Sequence, residues 1–439
     1  MGGEICTITP SRGKCFQLLR VGAVRALSEG EMGTSQPTGE TSPCARIVAN
    51  PDVWLEGEAI RQLHATAADP DCVRAVGMPD LHPGPGIPIG AAFAFAESVR
   101  PRLIGSDAGC GAIVVALRSN KFSASTERRA RAEFDDDPLS HLDARELCRA
   151  VWDRGPHGLL DFDLPDAVSA VVEHLGEDDM DVPSGPLPDV HLPGMLGTIG
   201  GGNHFAEIGR VGTVVDSEAA EALGLKPRML AVLCHSGSRG LGKALSDRWA
   251  SQELHAGDAG EYLAALAGAV RFARANRVVL AWRALSALGL ARRSKIAHAF
   301  DVVHNTVTHE CCGGDALWVH RKGCAPAGLN EPTVVLGSRG ARSWVMRGRG
   351  NEAGLSSVAH GAGRKMRRSE AREKIRARYR RKELSHSGGG GIAICDDTKL
   401  LYEEHPDAYK PIEPVIASLE DAELADRVAS IQPLLTVKK

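Results

Sequence analysis

Aromatic residues are scarce, at 4% of 439 residues, so chemistry built on stacking bases against aromatic platforms is a poor fit. No stretch reaches about 18 consecutive apolar residues, which argues against a membrane-crossing helix. The opening MGGEICTITPSRGKC lacks the apolar core of a secretory signal. The 11 cysteines are odd in number and follow no repeating spacing, so reduced thiols in the cytoplasm are expected instead of a disulfide framework. Neither sign of charge dominates: the formal net charge is -3, with 24% charged and 43% hydrophobic residues, the make-up of a soluble globular protein. No internal repeat of fixed period is visible.

Glycine, by contrast, is abundant, with 49 residues against a usual share of about 7%. It clusters in short motifs, as tight loops around a site would require. Residues 1–45 are rich in Gly, Ser, Thr and Pro and read as a poorly ordered extension. From residue 46 to 439 no linker is evident, and one large α+β domain is expected. Residues 53–67 read as a short amphipathic helix, and 91–97 and 112–118 as strands. The acidic stretch 126–180 reads as helical, 229–237 as a buried strand, 258–300 as an Ala/Leu-rich helix, and 333–340 as a strand ending in a glycine turn.

Charge is unevenly placed. Residues 364–382 hold 11 Lys/Arg and two Glu, a net of +9, so in a chain of net -3 the remainder carries -12. A helix there is either a solvated face or a track for a phosphate backbone.

Five motifs embed a polar or metal-binding residue in glycines or at a strand end: Ser106–Gly111, Gly200–Glu207, His235–Gly240, Asp301–Asn305 and His360–Arg364. Asp107 and Cys110, three apart on a glycine-rich turn, can point a carboxylate and a thiolate at one ion. His204, His235 and His304 would add imidazoles. Five donors exceed the three protein ligands of an ordinary catalytic zinc site and suit two ions sharing a thiolate, an arrangement that recurs in phosphoryl transfer. Taken singly, each histidine is more often structural than a ligand; the signal is their co-occurrence. His360, followed by Gly-Ala-Gly-Arg and the basic segment, suits a nucleophile on phosphorus, or else a fourth imidazole ligand.

These motifs, with Met78-Pro79-Asp80-Leu81-His82-Pro83-Gly84, GTIGGGNHFAEI at 197–208, HSGSRGLG at 235–242, VHRKG at 319–323, GSRG at 337–340 and AYKPIEPVI at 408–416, make the chain resemble the RtcB-type RNA ligases, from about Ala45 to the C-terminus. The resemblance implies a single α+β domain with mixed sheets around a dinuclear metal site, and a GTP- and Mn²⁺-dependent joining of RNA 3′-phosphate or 2′,3′-cyclic phosphate ends to 5′-hydroxyl ends, in RNA repair or tRNA splicing. It makes His360 the residue that carries GMP covalently. It assigns one Mn²⁺ to Asp107, Cys110 and His204 and the other to Cys110, His235 and His304. The guanylate contacts it implies are Asn203, Glu207, Asn305, Gly337, Ser338, Arg339, Ser343, His360, Gly361, Ala362, Gly363, Tyr409 and Lys438. RNA or phosphate contacts would fall to Arg239, Arg364, Arg367 and Arg368. The donors alone do not select manganese over zinc.

The chain departs from the family pattern in three places. Gly109 stands where the metal loop commonly has Asn. Cys324-Ala325-Pro326 replaces Ala-Thr-Arg, and the chain ends Val437-Lys438-Lys439 where Val-Lys-Gly is common. Its short spans between motifs match the compact bacterial branch. The competing readings are a dinuclear-metal phosphohydrolase or nuclease that activates water, and a non-catalytic RNA-binding protein using the basic segment.

Overall fold

The computed structural model describes residues 44–176, 182–385 and 391–439. The extension expected over 1–45 lies outside the described residues, save Cys44 and Ala45, the second of which opens a strand.

The fold is α+β, and alternation along its strands defines the layers. In Gly111–Leu117 every residue is buried. Ile113, Val115 and Leu117 point into one core and Ala112, Val114 and Ala116 into another, so this strand is covered on both faces. It lies in an eight-stranded sheet ordered Pro332–Val335, Ser343–Gly348, Ala425–Val437, Phe205–Val214, Leu230–Ser236, Gly111–Leu117, Ile296–Val303, with Ile392–Ile394 beside Ala425–Val437. One face packs on the helix Gly260–Leu288. The other packs on a five-stranded sheet ordered Ala45–Ile47, Cys72–Pro83, Pro88–Phe95, Asp315–Lys322, Asn305–Cys312, through Val76, Ala92, Ala94 and Val319. The outer face of this second sheet is covered by the helix Gly57–Ala67 through Ala59 and Leu63. The result is a helix, sheet, sheet, helix stack.

Gly260–Leu288 has 24 of its 29 residues buried, as expected of a helix apolar all round. Its small residues let it approach closely. A Cβ on Gly109 would lie 2.9 Å from both Val270 Cα and Ala273 Cβ, and Gly109 has φ +75°. An Asn at this position would therefore push the helix away, which gives the Gly109 departure a physical reason.

Several expected elements are shorter than the sequence pattern implied. The helix expected from 53 begins at Gly57. The acidic stretch forms three helices, Ser125–Asp135, Ala144–Arg154 and Asp166–Leu175, separated at Pro138, Pro156 and Pro165; its residues 177–180 lie outside the described residues. The Ala/Leu-rich helix stops at Gly289, a left-handed C-cap with φ +71°, and Ile296–Val303 is strand. The basic helix spans Arg368–Arg378 only.

Candidate active site and metal centre

The cysteine and the histidines sit at strand ends, where the chain enters or leaves the eight-stranded sheet. Cys110 precedes Gly111–Leu117, His204 precedes Phe205–Val214, and His235 is the penultimate residue of Leu230–Ser236. His304 is the single residue between Ile296–Val303 of one sheet and Asn305–Cys312 of the other. Neighbouring strands therefore bring donors from four segments into one cluster, in which those of Cys110, His204 and His235 all lie within 4.8 Å of one another. Cys110 Sγ lies 3.2 Å from His204 Nε2 and 3.3 Å from His235 Nε2. His235 Nε2 lies 3.2 Å from His304 Nε2, and His204 Nε2 lies 2.9 Å from Asp107 Oδ2. Ligands at about 2.0–2.3 Å from a shared ion are spaced close to this, so the donors fit a metal centre. Burial holds the His235 and His304 imidazoles well below their usual pKa, leaving them neutral and able to ligate. Burial also pushes the Cys110 thiol up; a cation beside it is what would favour the thiolate. Burial pushes Asp107 up too, but its contacts with His204 and Lys322 outweigh this and hold it at about 2.

A buried arginine braces the cluster. Arg277, on the long helix, forks onto Asp301 at 2.6 and 2.7 Å. It also donates to Gly109 O and Ser236 O, both at 2.8 Å, the carbonyls next to Cys110 and His235. Both side chains of the pair are fully buried, so losing Asp301 would strand the Arg277 charge at a cost of about 3–5 kcal/mol; Arg274 also reaches Asp301, at 3.6 Å. Beside it Asn276 accepts from Gly197 N at 2.7 Å and donates to Ser236 Oγ at 3.0 Å. A Cβ on Gly237 would fall 2.0 Å from Asp107 Oδ1, so only glycine leaves that carboxylate its place.

The cluster forms the floor of a cavity of ≈ 1040 Å³. Asn203, Glu207, Asn305, Gly337, Ser338, Arg339, the loop His360–Gly363, Tyr409 and Lys438 all line it. Lys438 arrives there because the C-terminal strand Ala425–Val437 runs inside the sheet between Ser343–Gly348 and Phe205–Val214. Its ammonium donates to His204 O at 2.8 Å, and burial lowers it to about 8. Glu207 is raised by burial to about 7; Oε2 accepts from Thr436 Oγ1 at 2.7 Å, while Oε1 is buried without a partner among the described residues. Arg339 Nε and one terminal nitrogen are likewise buried and unpartnered. A guanidinium in that state calls for an anion.

His360 stands beside the metal cluster. Its ring centroid is 4.8 Å from that of His304, and Nδ1 is 2.7 Å from Asp80 Oδ2. A carboxylate accepts, so Nδ1 carries the hydrogen and Nε2 keeps its lone pair.

Two expected contacts stand off the cavity. Ser343 lies behind the loop, its Oγ accepting from Gly337 N at 3.0 Å. Arg239 lies against Gly200, donating to Thr198 Oγ1 at 3.2 Å. Arg364 lines the cavity, but its donors are engaged by Met366 O, Glu403 O, Glu404 and the Tyr409 hydroxyl at 2.8–3.2 Å. Arg367 and Arg368 also line the cavity; each touches a carboxylate, Glu56 at 3.5 Å and Glu404 at 3.2 Å, but with side chains 69% and 52% exposed both keep donors open to solvent. Asn305 ties two loops together, donating to Asp107 O at 3.0 Å and accepting from Gly323 N at 2.8 Å.

Asp80, His82, Lys322, Glu404 and Arg277 were not singled out from the sequence as site residues. Asp80, His82 and Lys322 lie inside motifs that carried the family resemblance. Arg277 could have been found: arginines at 271, 274, 277 and 283 in a largely apolar helix need a buried purpose.

A four-layer α+β domain with a Cys–His–Asp cluster lining a large cavity is thus the class. The family model described as tRNA-splicing ligase RtcB matches residues 62–439, and the chain belongs to the RtcB family. It is 38% identical over 397 residues to the RNA-splicing ligase RtcB2 of Escherichia coli, covering 89% of this chain and 94% of that protein. It is 29% identical over 435 residues to the RNA-splicing ligase RtcB of Mycobacterium tuberculosis (86% and 100% covered). It is 27% identical over 450 residues to the tRNA-splicing ligase RtcB of Methanococcus maripaludis (88% and 92% covered). Among the described residues no helix is long and apolar enough to cross a membrane.

Proposed function

We propose that this protein is an RNA ligase of RNA repair or tRNA splicing. It joins RNA 3′-phosphate or 2′,3′-cyclic phosphate ends to 5′-hydroxyl ends at the expense of GTP. The observation that carries this reading is His360: its Nδ1 is held by Asp80 at 2.7 Å, its ring is beside His304, and its loop lines the cavity that holds the unpartnered Arg339.

In the first step His360 Nε2 attacks the α-phosphorus of GTP. The N–P bond forms, the bond to the bridging oxygen breaks, and pyrophosphate leaves. Asp80 keeps the ring in the tautomer with a free Nε2 lone pair. Arg339 supplies fixed positive charge to the phosphates. Glu207, whose Oε1 has no partner among the described residues, and Tyr409 would contact the base, with Lys438 beside Glu207. An oxygen of the RNA 3′-phosphate then takes GMP from His360. A 2′,3′-cyclic end is first opened by water. Finally the 5′-hydroxyl attacks the activated 3′-phosphorus, its proton passes to water, the phosphodiester forms and GMP leaves. Arg367 and Arg368 in the cavity lining attract the RNA backbone. Two Mn²⁺ ions, one on Asp107, Cys110 and His204 and one on Cys110, His235 and His304, would offset the negative charge of the reacting phosphates.

The test is a joining assay with Mn²⁺ and GTP. An RNA pair with 3′-phosphate and 5′-hydroxyl ends should be joined, ATP should not replace GTP, and a pair with 3′-hydroxyl and 5′-phosphate ends should stay apart. Hydrolysis of the ends without joining, at a rate indifferent to GTP, would favour the phosphohydrolase reading.

A further inference from the structure

Lys410 follows the cavity residue Tyr409 but serves none of the steps above. It is buried, 4% exposed. Its ammonium donates to Pro79 O at 2.9 Å and to Leu81 O at 2.8 Å. These are the two carbonyls flanking Asp80. Its backbone N–H donates to Gly363 O at 2.9 Å, in the loop that begins with His360. One residue therefore ties both halves of the Asp80–His360 pair.

The Asp80 carboxylate needs such external fixing. Its one side-chain partner among the described residues is His360, and Oδ1 is buried without a hydrogen bond. Its direction is thus set by its backbone, and by neighbours that leave it no room. A Cβ on Gly90 would lie 2.5 Å from Asp80 Oδ1, and one on Gly363 would lie 2.3 Å from Asp80 O. His82 Nδ1 donates to Asp80 O at 2.8 Å. Burying an ammonium is costly, and two neutral carbonyls offset this poorly. The nearby Asp80 charge supplies the rest: burial lowers Lys410 to about 8 while Asp80 pulls it upward.

We propose that Lys410 is a positioning residue for the nucleophile: it clamps the strand segment around Asp80 and, through Asp80, the ring of His360. The proposal rests on the reading of His360 as the group that takes GMP. A ring displaced by about 1 Å loses on the order of 10²-fold in such a reaction.

The test is single-turnover guanylylation of the full chain, with Mn²⁺ and labelled GTP, for K410M alone and combined with D80N. Melting temperature and metal content are measured alongside. K410M should slow labelling at saturating GTP at least tenfold, with KM for GTP within threefold and metal content equal to wild type. On the D80N background K410M should add less than a twofold loss, because the clamp has nothing left to orient. A merely structural lysine would instead give losses that multiply, or a fall confined to KM or metal content; either overturns the proposal, as does a K410M rate within threefold of wild type. If K410M does not fold, K410Q carries the same comparison. Absence of label on the metal-loaded wild type would overturn the functional reading itself, and the proposal with it.

Discussion

A Cys110→Ala chain is expected to lose both metal positions together, and RNA joining with them. Sγ of Cys110 is within 3.2 Å of His204 Nε2 and 3.3 Å of His235 Nε2, and it is the one donor common to the two proposed ligand sets. A methyl group cannot ligate, so one substitution leaves each ion two protein donors. His304→Ala removes a ligand from only one set. Elemental analysis after gel filtration should therefore give close to two Mn²⁺ per wild-type chain, about one for H304A and close to none for C110A. Joining by C110A should fall at least about 10³-fold, since phosphoryl transfer depends chiefly on positioning and on stabilising the charge of the reacting phosphates. Full metal content in C110A would contradict the shared thiolate.

Asp80→Asn is expected to cut the rate of guanylylation by about 10²–10⁴-fold with little change in metal content. The wild-type carboxylate can only accept, which fixes the hydrogen on His360 Nδ1. An amide turned to present its NH₂ would favour the opposite tautomer, with the hydrogen on Nε2 and no lone pair for phosphorus. The side chain is fully buried, so water cannot substitute for the lost charge. Single-turnover labelling with GTP checks this; a D80N rate within threefold of wild type would remove Asp80 from the account.

The parts of the site carried by local pattern were legible in the sequence. The buried runs at 111–117 and 230–236 are strands, and Cys110, His204, His235 and His304 end or border strands, where neighbours in a sheet must meet. What the sequence could not supply was pairing across the chain. Asp80 and His360 are 280 positions apart and meet through one hydrogen bond. Nothing local distinguishes Asp80 from a turn residue. Arg277 was legible but overlooked: an Ala/Leu-rich helix reads as packing, yet the arginines spaced along it need a buried partner. The contacts expected of Arg239 and Ser343 show the converse. Both lie in glycine motifs, but Arg239 turns to Thr198 and Ser343 supports Gly337 from behind. The basic stretch also overstated its helix. Arg364 to Arg367 lie ahead of it, and Arg364 is consumed by Glu404, Glu403 and Met366.

The central claim is that His360 takes GMP covalently. The most direct measurement is incubation of the metal-loaded protein with α-labelled GTP and Mn²⁺, followed by a denaturing gel and peptide mapping, for wild type and His360→Ala. The account predicts label on wild type that is lost in acid, maps to the peptide containing His360 and is absent from the H360A chain. Label of equal strength on H360A, or none on wild type with its metal bound, would contradict it.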